Sequence, residues 1–149
     1  MAVAMRYVAD NEVARDVLQE SFVKVFSNID SFTPRGEGTL KSWVMRIVSN
    51  EALNCMRQRR RHLFVELPAE EEPVEEPDVG DISIDVLQRM IEQLPEGYRL
   101  VFNLYVFDGK SHKEIASLLG IKENSSASQF LRAKRMLARQ IQQYKRQQQ

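Results

Sequence analysis

Residues 111–135 read SHKEIASLLGIKENSSASQFLRAKR, and the fold turns on how that stretch is parsed. Ser111 followed three residues later by Glu114 fits a capping box, in which the hydroxyl and the carboxylate each satisfy a backbone N–H with no helical partner. Ile115, Leu118 and Leu119 then share one helical face. Gly120 breaks the helix and Ile121-Lys122-Glu123-Asn124 makes the turn. Asn124 or Ser125 is expected to cap a last long helix, with Phe130, Ala133, Leu137 and Ile141 at helical spacing. Helix, glycine-containing turn, helix is the helix-turn-helix pattern. Its second helix enters the major groove with its N-terminal residues at the base edges. Ser125, Ser126, Ala127, Ser128 and Gln129 are small or hydrogen-bonding, so a backbone can approach bases there. Arg132, one turn beyond Ser128, suits a bidentate contact to guanine. Lys134, Arg135 and Arg139 suit phosphates, which position a helix without specifying sequence. A helical hairpin with a solvated basic face remains an open reading of the same residues.

Working back from that stretch, Asp108-Gly109 stops a helix over about Glu96 to Phe107, whose first turn Pro95 serves. A shorter helix precedes it, from about Ile84 to Gln93. Between 65 and 81 the chain holds three prolines and repeated carboxylates. Such a composition cannot build a packed core, so 63–83 is expected to be a flexible acidic linker. Before the linker, Val13, Val17, Leu18, Phe22, Val25 and Phe26 recur at spacings of three and four, predicting a helix from about Asn11 to Ile29 with Asp10 as its cap. Pro34, Gly36 and Gly38 mark 30–39 as a loop. Thr39 is expected to cap a second helix with the stripe Leu40, Trp43, Val44, Ile47, Val48, Ala52 and Met56, running into Arg57, Arg59, Arg60, Arg61 and His62. The expected architecture is all-α: a helical domain over 1–62, the linker over 63–83, and a helix-turn-helix domain over 84–149.

The formal charge is zero, with 21 basic and 21 acidic residues among 149. It is unevenly spread. Residues 1–62 carry a net +3, residues 63–93 a net −9 and residues 94–149 a net +6. Two basic blocks suit a polyanion, and the acidic block between them would repel it or occupy a cationic channel in a partner. One cysteine, Cys55, excludes a disulfide scaffold or a cysteine-only zinc site. It is expected to be a buried small thiol. Two histidines, His62 and His112, do not make a metal centre, and neither is given a ligand role. No apolar run reaches the ~20 residues of a membrane span. Met1 to Tyr7 lack a secretory pattern. No cofactor, no metal and no catalysis are expected, and the expected setting is the cytoplasm.

The first lobe offers two further surfaces. Trp43 and Phe32 lie near Lys41, Arg46 and the Arg57–Arg61 run, the combination of stacking platforms and cations that single-stranded nucleic acid uses. A lone tryptophan on an apolar stripe is equally a core residue, and an arginine run at a helix end complements the helix dipole. Asp16, Gln19 and Glu20 share one helix and form either an acidic docking patch or an exposed polar face.

Three segments carry a family resemblance. Ala14-Arg15-Asp16-Val17-Leu18-Gln19-Glu20-Ser21-Phe22 resembles a signature of bacterial RNA polymerase sigma factors. Phe32 with Leu40-Lys41-Ser42-Trp43-Val44-Met45-Arg46-Ile47-Val48-Ser49-Asn50 resembles another. Leu94-Pro95-Glu96-Gly97-Tyr98-Arg99-Leu100-Val101-Phe102 with the helix-turn-helix resembles their region 4. Two lobes and a short linker make the chain similar to the extracytoplasmic-function (ECF) group of the sigma-70 family. The resemblance implies a promoter-directing initiation factor in which Asp16, Gln19, Glu20 and Phe22 dock on the polymerase β′ coiled-coil and the second lobe meets the β flap. It implies that the 28–39 loop with Asn28, Ser31, Lys41, Trp43, Arg46, Asn50, Arg57 and Arg59 melts and holds the −10 element. Ser125, Ala127, Ser128, Gln129, Leu131, Arg132, Lys134 and Arg135 would serve the −35 element. It further implies promoter DNA and an anti-sigma factor as partners, and a linker threaded through polymerase channels otherwise used by RNA. The chain departs from the pattern in having a shortened helix before residue 10, expected to expose part of the 13–26 face. It also has Asn124-Ser125-Ser126-Ala127 where relatives carry a basic residue. A sigma-like decoy that titrates an anti-sigma protein and a helix-turn-helix repressor are the alternative expectations.

Overall fold

The computed structural model describes residues 1–59, 73 and 75–149. They form seven α-helices, and no strand occurs among the described residues: α1 Ala2–Val8, α2 Asn11–Asn28, α3 Thr39–Gln58, α4 Ile84–Glu92, α5 Glu96–Val106, α6 His112–Leu119 and α7 Glu123–Gln148. A single 3₁₀ turn, Ile29–Ser31, follows α2. The chain divides into two compact units at residue 60/61. Arg60, Arg61, His62 and the first part of the expected linker lie outside the described residues.

In the N-terminal unit α2 starts where Asp10 predicts: its Oδ1 accepts from the N–H groups of Glu12 at 2.9 Å and Val13 at 3.1 Å. The buried face of α2 is Val13, Ala14, Val17, Ser21 and Val25, packed with Val48, Ala52, Leu53 and Met56 of α3. Ser21 is tolerated inside because its hydroxyl donates to the Val17 carbonyl at 2.6 Å. The predicted stripe is corrected at two places: Phe22 and Phe26 are 51% and 74% exposed. They stand one position past Ser21 and Val25, and that step turns them out of the packed face. The helix expected before residue 10 forms: Ala4, Tyr7 and Val8 are buried at helical spacing and pack on α2 and α3. Thr39 does not cap α3. Gly38 is the cap residue, in a left-handed conformation (φ 76°), and Thr39 Oγ1 instead donates back to the Gly36 carbonyl at 2.9 Å.

In the C-terminal unit, Ser83 caps α4 and Pro95 stands just before α5. Leu94, Leu100, Val101, Leu104 and Ile115 are buried, with Ile91, Tyr98, Ala133, Leu137 and Ile141 completing the core. Arg99 is also buried. Its guanidinium donates to the carbonyls of Glu92 at 3.1 Å and Leu94 at 2.8 Å, tying the α4 terminus to α5. Burial pulls Arg99 below the usual arginine range, with Glu96 and Glu92 acting to keep it charged. The acidic linker is corrected at its C-terminal end. Ile82 belongs to the core, and Gly80 N–H and Ile82 N–H close turns onto Asp78 Oδ1 and the Val79 carbonyl, each at 3.0 Å.

Candidate nucleic-acid interface

The loop after α2 folds into a cleft of ≈ 480 Å³ against the start of α3. Phe32 and Trp43 meet there, ring centroids 5.1 Å apart and planes at 40°. Trp43 is half-buried: it packs on Phe32 and lines the cleft. Two glycines make the loop possible. Gly36 (φ 124°) and Gly38 (φ 76°) occupy backbone conformations that other residues resist. The Thr39 hydroxyl stitches the loop to the helix. Ser31, Thr33, Arg35, Ser42 and Arg46 also line it, with one carboxylate, Glu37, among them. Arg35 and Ser42 were not singled out from the sequence, and Thr39 only as a helix cap, although the Gly36–Gly38 pair was the available signal that a shaped loop meets α3 there.

Trp43, Arg46, Asn50 and Arg57 follow one another at spacings of three, four and seven, which places them on one face of α3. Arg46, Asn50 and Arg57 are exposed. Lys41 falls outside that register. Arg59 lines a different cleft, between α2 and α3, with Asp16, Glu20, Glu51 and Cys55. Lys41 and Arg59 therefore do not line the aromatic cleft. Asn28 and Ser31 sit at the end of α2. The Asn28 amide donates to the Lys24 carbonyl at 2.8 Å and the Ser31 hydroxyl to the Asn28 carbonyl at 2.7 Å, so both shape the turn. Cys55 is half-buried, not buried.

On α2, Asp16, Gln19 and Glu20 are exposed, and the same helix presents Phe22, Val23 (60% exposed) and Phe26. Carboxylates beside solvent-facing large apolar groups mark a surface suited to a partner. Lys24 pairs with Glu51 of α3 and holds the two helices together at this edge.

In the C-terminal unit the capping box forms as expected, with Glu114 N–H on Ser111 Oγ at 3.1 Å and Ser111 N–H on Glu114 Oε1 at 3.3 Å. Donation from the Ser111 backbone N–H, and then from the Ser111 hydroxyl, holds the Glu114 carboxyl below the usual glutamate range. Gly120, at φ 67°, ends α6 in the left-handed conformation. The next helix begins at Glu123, so Asn124 and Ser125 lie in its first turn and do not cap it. Ala127, Ser128, Leu131 and Lys134 are exposed, and Ser125, Arg132 and Arg135 are half-buried. Ser128, Leu131, Arg132 and Arg135 follow one face of α7. Gln129 does not belong to that face. It is only 6% exposed, in register with the buried Ser126, Ala133 and Leu137, and cannot reach a base edge. Ser126 is also internal: its hydroxyl bonds His112 Nδ1 at 2.9 Å, and the imidazole stacks on Tyr105 with centroids 4.6 Å apart. That bond fixes the first turn of α7 against α6.

Two helical modules, one with an aromatic cleft beside arginines and one with a helix-turn-helix, define a DNA-binding protein of the transcription-initiation class. Residues 1–62 match Sigma-70 region 2, and residues 84–137 match Sigma-70, region 4. The ECF RNA polymerase sigma-E factor of Haemophilus influenzae is 33% identical over 153 residues, covering 92% of this chain and 78% of that protein. Its Escherichia coli counterpart is 30% identical over 155 residues, covering 95% and 80%. The ECF RNA polymerase sigma factor SigE of Mycolicibacterium smegmatis is 30% identical over 142 residues, 91% of this chain, and the chain spans only 54% of its length. The sigma factor RpoE of Bartonella quintana, solved in complex with the anti-sigma factor NepR, shares the fold with a TM-score of 0.55 at 23% identity, covering 95% of this chain and 88% of that one. The chain belongs to the sigma-70 family of RNA polymerase sigma factors, in its ECF group, whose members direct transcription initiation.

Proposed function

We propose that this chain binds core RNA polymerase in the bacterial cytoplasm and directs it to promoters, the N-terminal unit holding the −10 element and the C-terminal unit reading the −35 element. The observation that carries this reading is the Phe32–Trp43 cleft with Arg46 at its edge, in the same chain as an α7 face on which Ser128 and Leu131 are exposed and Arg132 is half-buried. A base extruded from a duplex gains a stacking surface on the tilted ring pair, which offsets part of the cost of leaving its neighbours. Arg46, Asn50 and Arg57 on the same face of α3 suit the strand's backbone. Asp16, Gln19, Glu20 and Phe22 on the outer face of α2 suit the polymerase β′ coiled-coil, and the C-terminal unit suits the β flap. Ser125, Ala127, Ser128 and Arg132 serve base readout, with Leu131 offering an apolar contact to a thymine methyl group. Lys134 and Arg135 serve phosphates. Bond formation belongs to the polymerase. The Bartonella quintana complex supports an anti-sigma factor as a further partner.

The test is transcription itself. Purified chain added to core polymerase should yield transcripts with defined start sites. Trp43→Ala should lose them while still co-purifying with core enzyme. A decoy would retain core or anti-sigma binding with no transcripts from the unaltered chain, and a repressor would bind an operator without polymerase. Transcripts unaffected by Trp43→Ala would remove the cleft from the mechanism.

A further inference from the structure

The described end of the acidic stretch lies along the helix that the proposed function assigns to DNA. A cleft of ≈ 500 Å³ is lined by Pro73, Pro77 and Val79 on one side and by Phe102, Leu131 and Ile141 on the other. Its charged rim is engaged. Lys134 Nζ donates to Glu76 Oε1 at 2.6 Å, and Lys145 Nζ stands 4.0 Å from Asp78 Oδ2. Lys134 accordingly holds the Glu76 carboxyl below the usual glutamate range. The placement is anchored independently of those charges. Ile82 is buried with Ala133, Leu137 and Ile141 of α7, and the 78–82 turns fold the chain back towards the helix. Proline at 73 and 77 favours an extended backbone, which presents alternate sides to the apolar floor and the cationic rim.

We propose that Pro73 and residues 75–79 are an internal ligand of α7: this acidic, proline-containing stretch occupies the apolar groove, engages Lys134 and Lys145, and competes with DNA phosphates for them. The proposal rests on the reading of α7 as the DNA-binding helix. A tethered carboxylate meets its lysine at a high effective concentration, so it acts without tight intrinsic binding. The pair is solvent-exposed, so each link is weak and reversible. The segment lowers affinity for arbitrary DNA by a modest factor, and a sequence that engages the whole Ser128–Arg132 ridge overcomes it. The acidic block is then a filter on non-specific binding.

The test uses the full chain and a fluorescein-labelled, mixed-sequence duplex of about 30 base pairs at low and high salt. Glu76→Gln should bind about threefold more tightly at low salt, within the range an exposed ion pair supplies, and the gain should vanish at high salt. Asp81→Asn makes the same charge change outside the groove and should gain less. Equal gains from the two variants would overturn the proposal, since bulk charge would then explain both. In the free chain a zero-length carbodiimide should join Glu76 to Lys134, and saturating duplex should suppress the cross-link. A missing cross-link overturns the seating, and one that persists with DNA overturns the competition. Lys134→Ala separates the two levels of the argument. If it binds duplex as tightly as the unaltered chain while the Glu76–Lys134 cross-link forms normally in that unaltered chain, the reading of α7 is at fault and the competition falls with it. If it weakens binding while Glu76→Gln changes nothing, α7 keeps its role and only the internal ligand is lost.

Discussion

The two units fill their cores differently, though each leaves large apolar side chains exposed. The C-terminal unit centres on large apolar groups: Leu94, Leu100, Val101, Leu104 and Ile115 are all at or below 2% exposed, while Ile84, Tyr105, Phe107 and Leu131 face outward. Even its buried cation, Arg99, is bonded to two carbonyls. The N-terminal unit mixes small residues, Ala4, Val13, Ala14, Val17 and Ala52, with Tyr7, Leu53 and Met56 in its core, and leaves Phe22, Val23 and Phe26 facing out on one helix. Turning three large side chains to water forgoes about 1.5–3 kcal/mol each relative to burial. A fold keeps such a surface when a partner covers it. Under the proposed function the cluster on α2 is a partner surface, while the second unit's Ser128–Arg132 face meets DNA.

The comparison is broken most forcefully from inside the C-terminal unit. Leu104→Ala should cost about 2–5 kcal/mol of that unit's stability, because the surrounding core closes only partly around the space left. The measurement is a denaturant titration of the full chain followed by a probe in α5–α7. A loss under about 1 kcal/mol would show that this core is not the tightly packed one its burial indicates.

Next in size is the ridge. Arg132→Ala should weaken promoter-specific binding by about 1–3 kcal/mol per lost base contact and relax specificity at the base pair it meets, with little effect on stability. Footprinting or promoter-directed transcription across single-base promoter variants measures it. A uniform loss across sequences would move Arg132 from reading bases to holding phosphate.

The caps sharpen the comparison at smaller scale. Ser111→Ala should destabilise the helix-turn-helix by about 1 kcal/mol through loss of the α6 cap. It should also alter the acid side of the stability curve. Ser111's backbone N–H, then its hydroxyl, and then the nearby Lys110 lower the Glu114 carboxyl. A carboxyl lowered in the folded state contributes stability above the ordinary glutamate range, and that contribution disappears as pH falls through the lowered folded value. In Ser111→Ala this part of the acid-side decline should shrink. Thermal melts from neutral to acidic pH, run on both chains, measure the difference.

How legible each unit was follows the same division. The second unit's elements could be read closely because glycine, proline and serine punctuate them: Ser111 with Glu114, Asp108-Gly109 and Gly120 each have a backbone reason to stand where they do. Gln129 was misplaced because residue type speaks for hydrogen bonding while only register decides the face, and Ser126, Gln129, Ala133 and Leu137 share the inner one. In the first unit Phe22 and Phe26 looked like core because periodicity counts apolar residues without knowing how wide a stripe the neighbours can cover. The cleft itself was half visible. Trp43, Phe32 and Arg46 were evident as types, but Arg35 and Thr39 join them through a loop whose shape depends on Gly36 and Gly38 at positive φ. The seat of residues 76–82 on α7 was invisible, since composition alone describes a carboxylate-rich tether and gives no sign that Ile82 anchors it.

The smallest expected change in stability tests the comparison most directly. Phe26 is the most exposed of the aromatic residues on α2. Phe26→Ser should leave the unfolding free energy of the N-terminal unit within about 0.5 kcal/mol, as surface substitutions usually do. The same substitution should reduce retention on immobilised core polymerase, because it removes apolar area that only a complex buries. Glu20→Lys, on the same helix, should reduce retention through charge reversal and also lose affinity in a salt-dependent way, whereas the Phe26→Ser deficit should persist at high salt. If both variants were retained as well as the unaltered chain, the outward face of α2 would need another partner. If Phe26→Ser unfolded the unit, its aromatic face would belong to the fold after all, and the reading of the outward face of α2 as a partner surface would not stand.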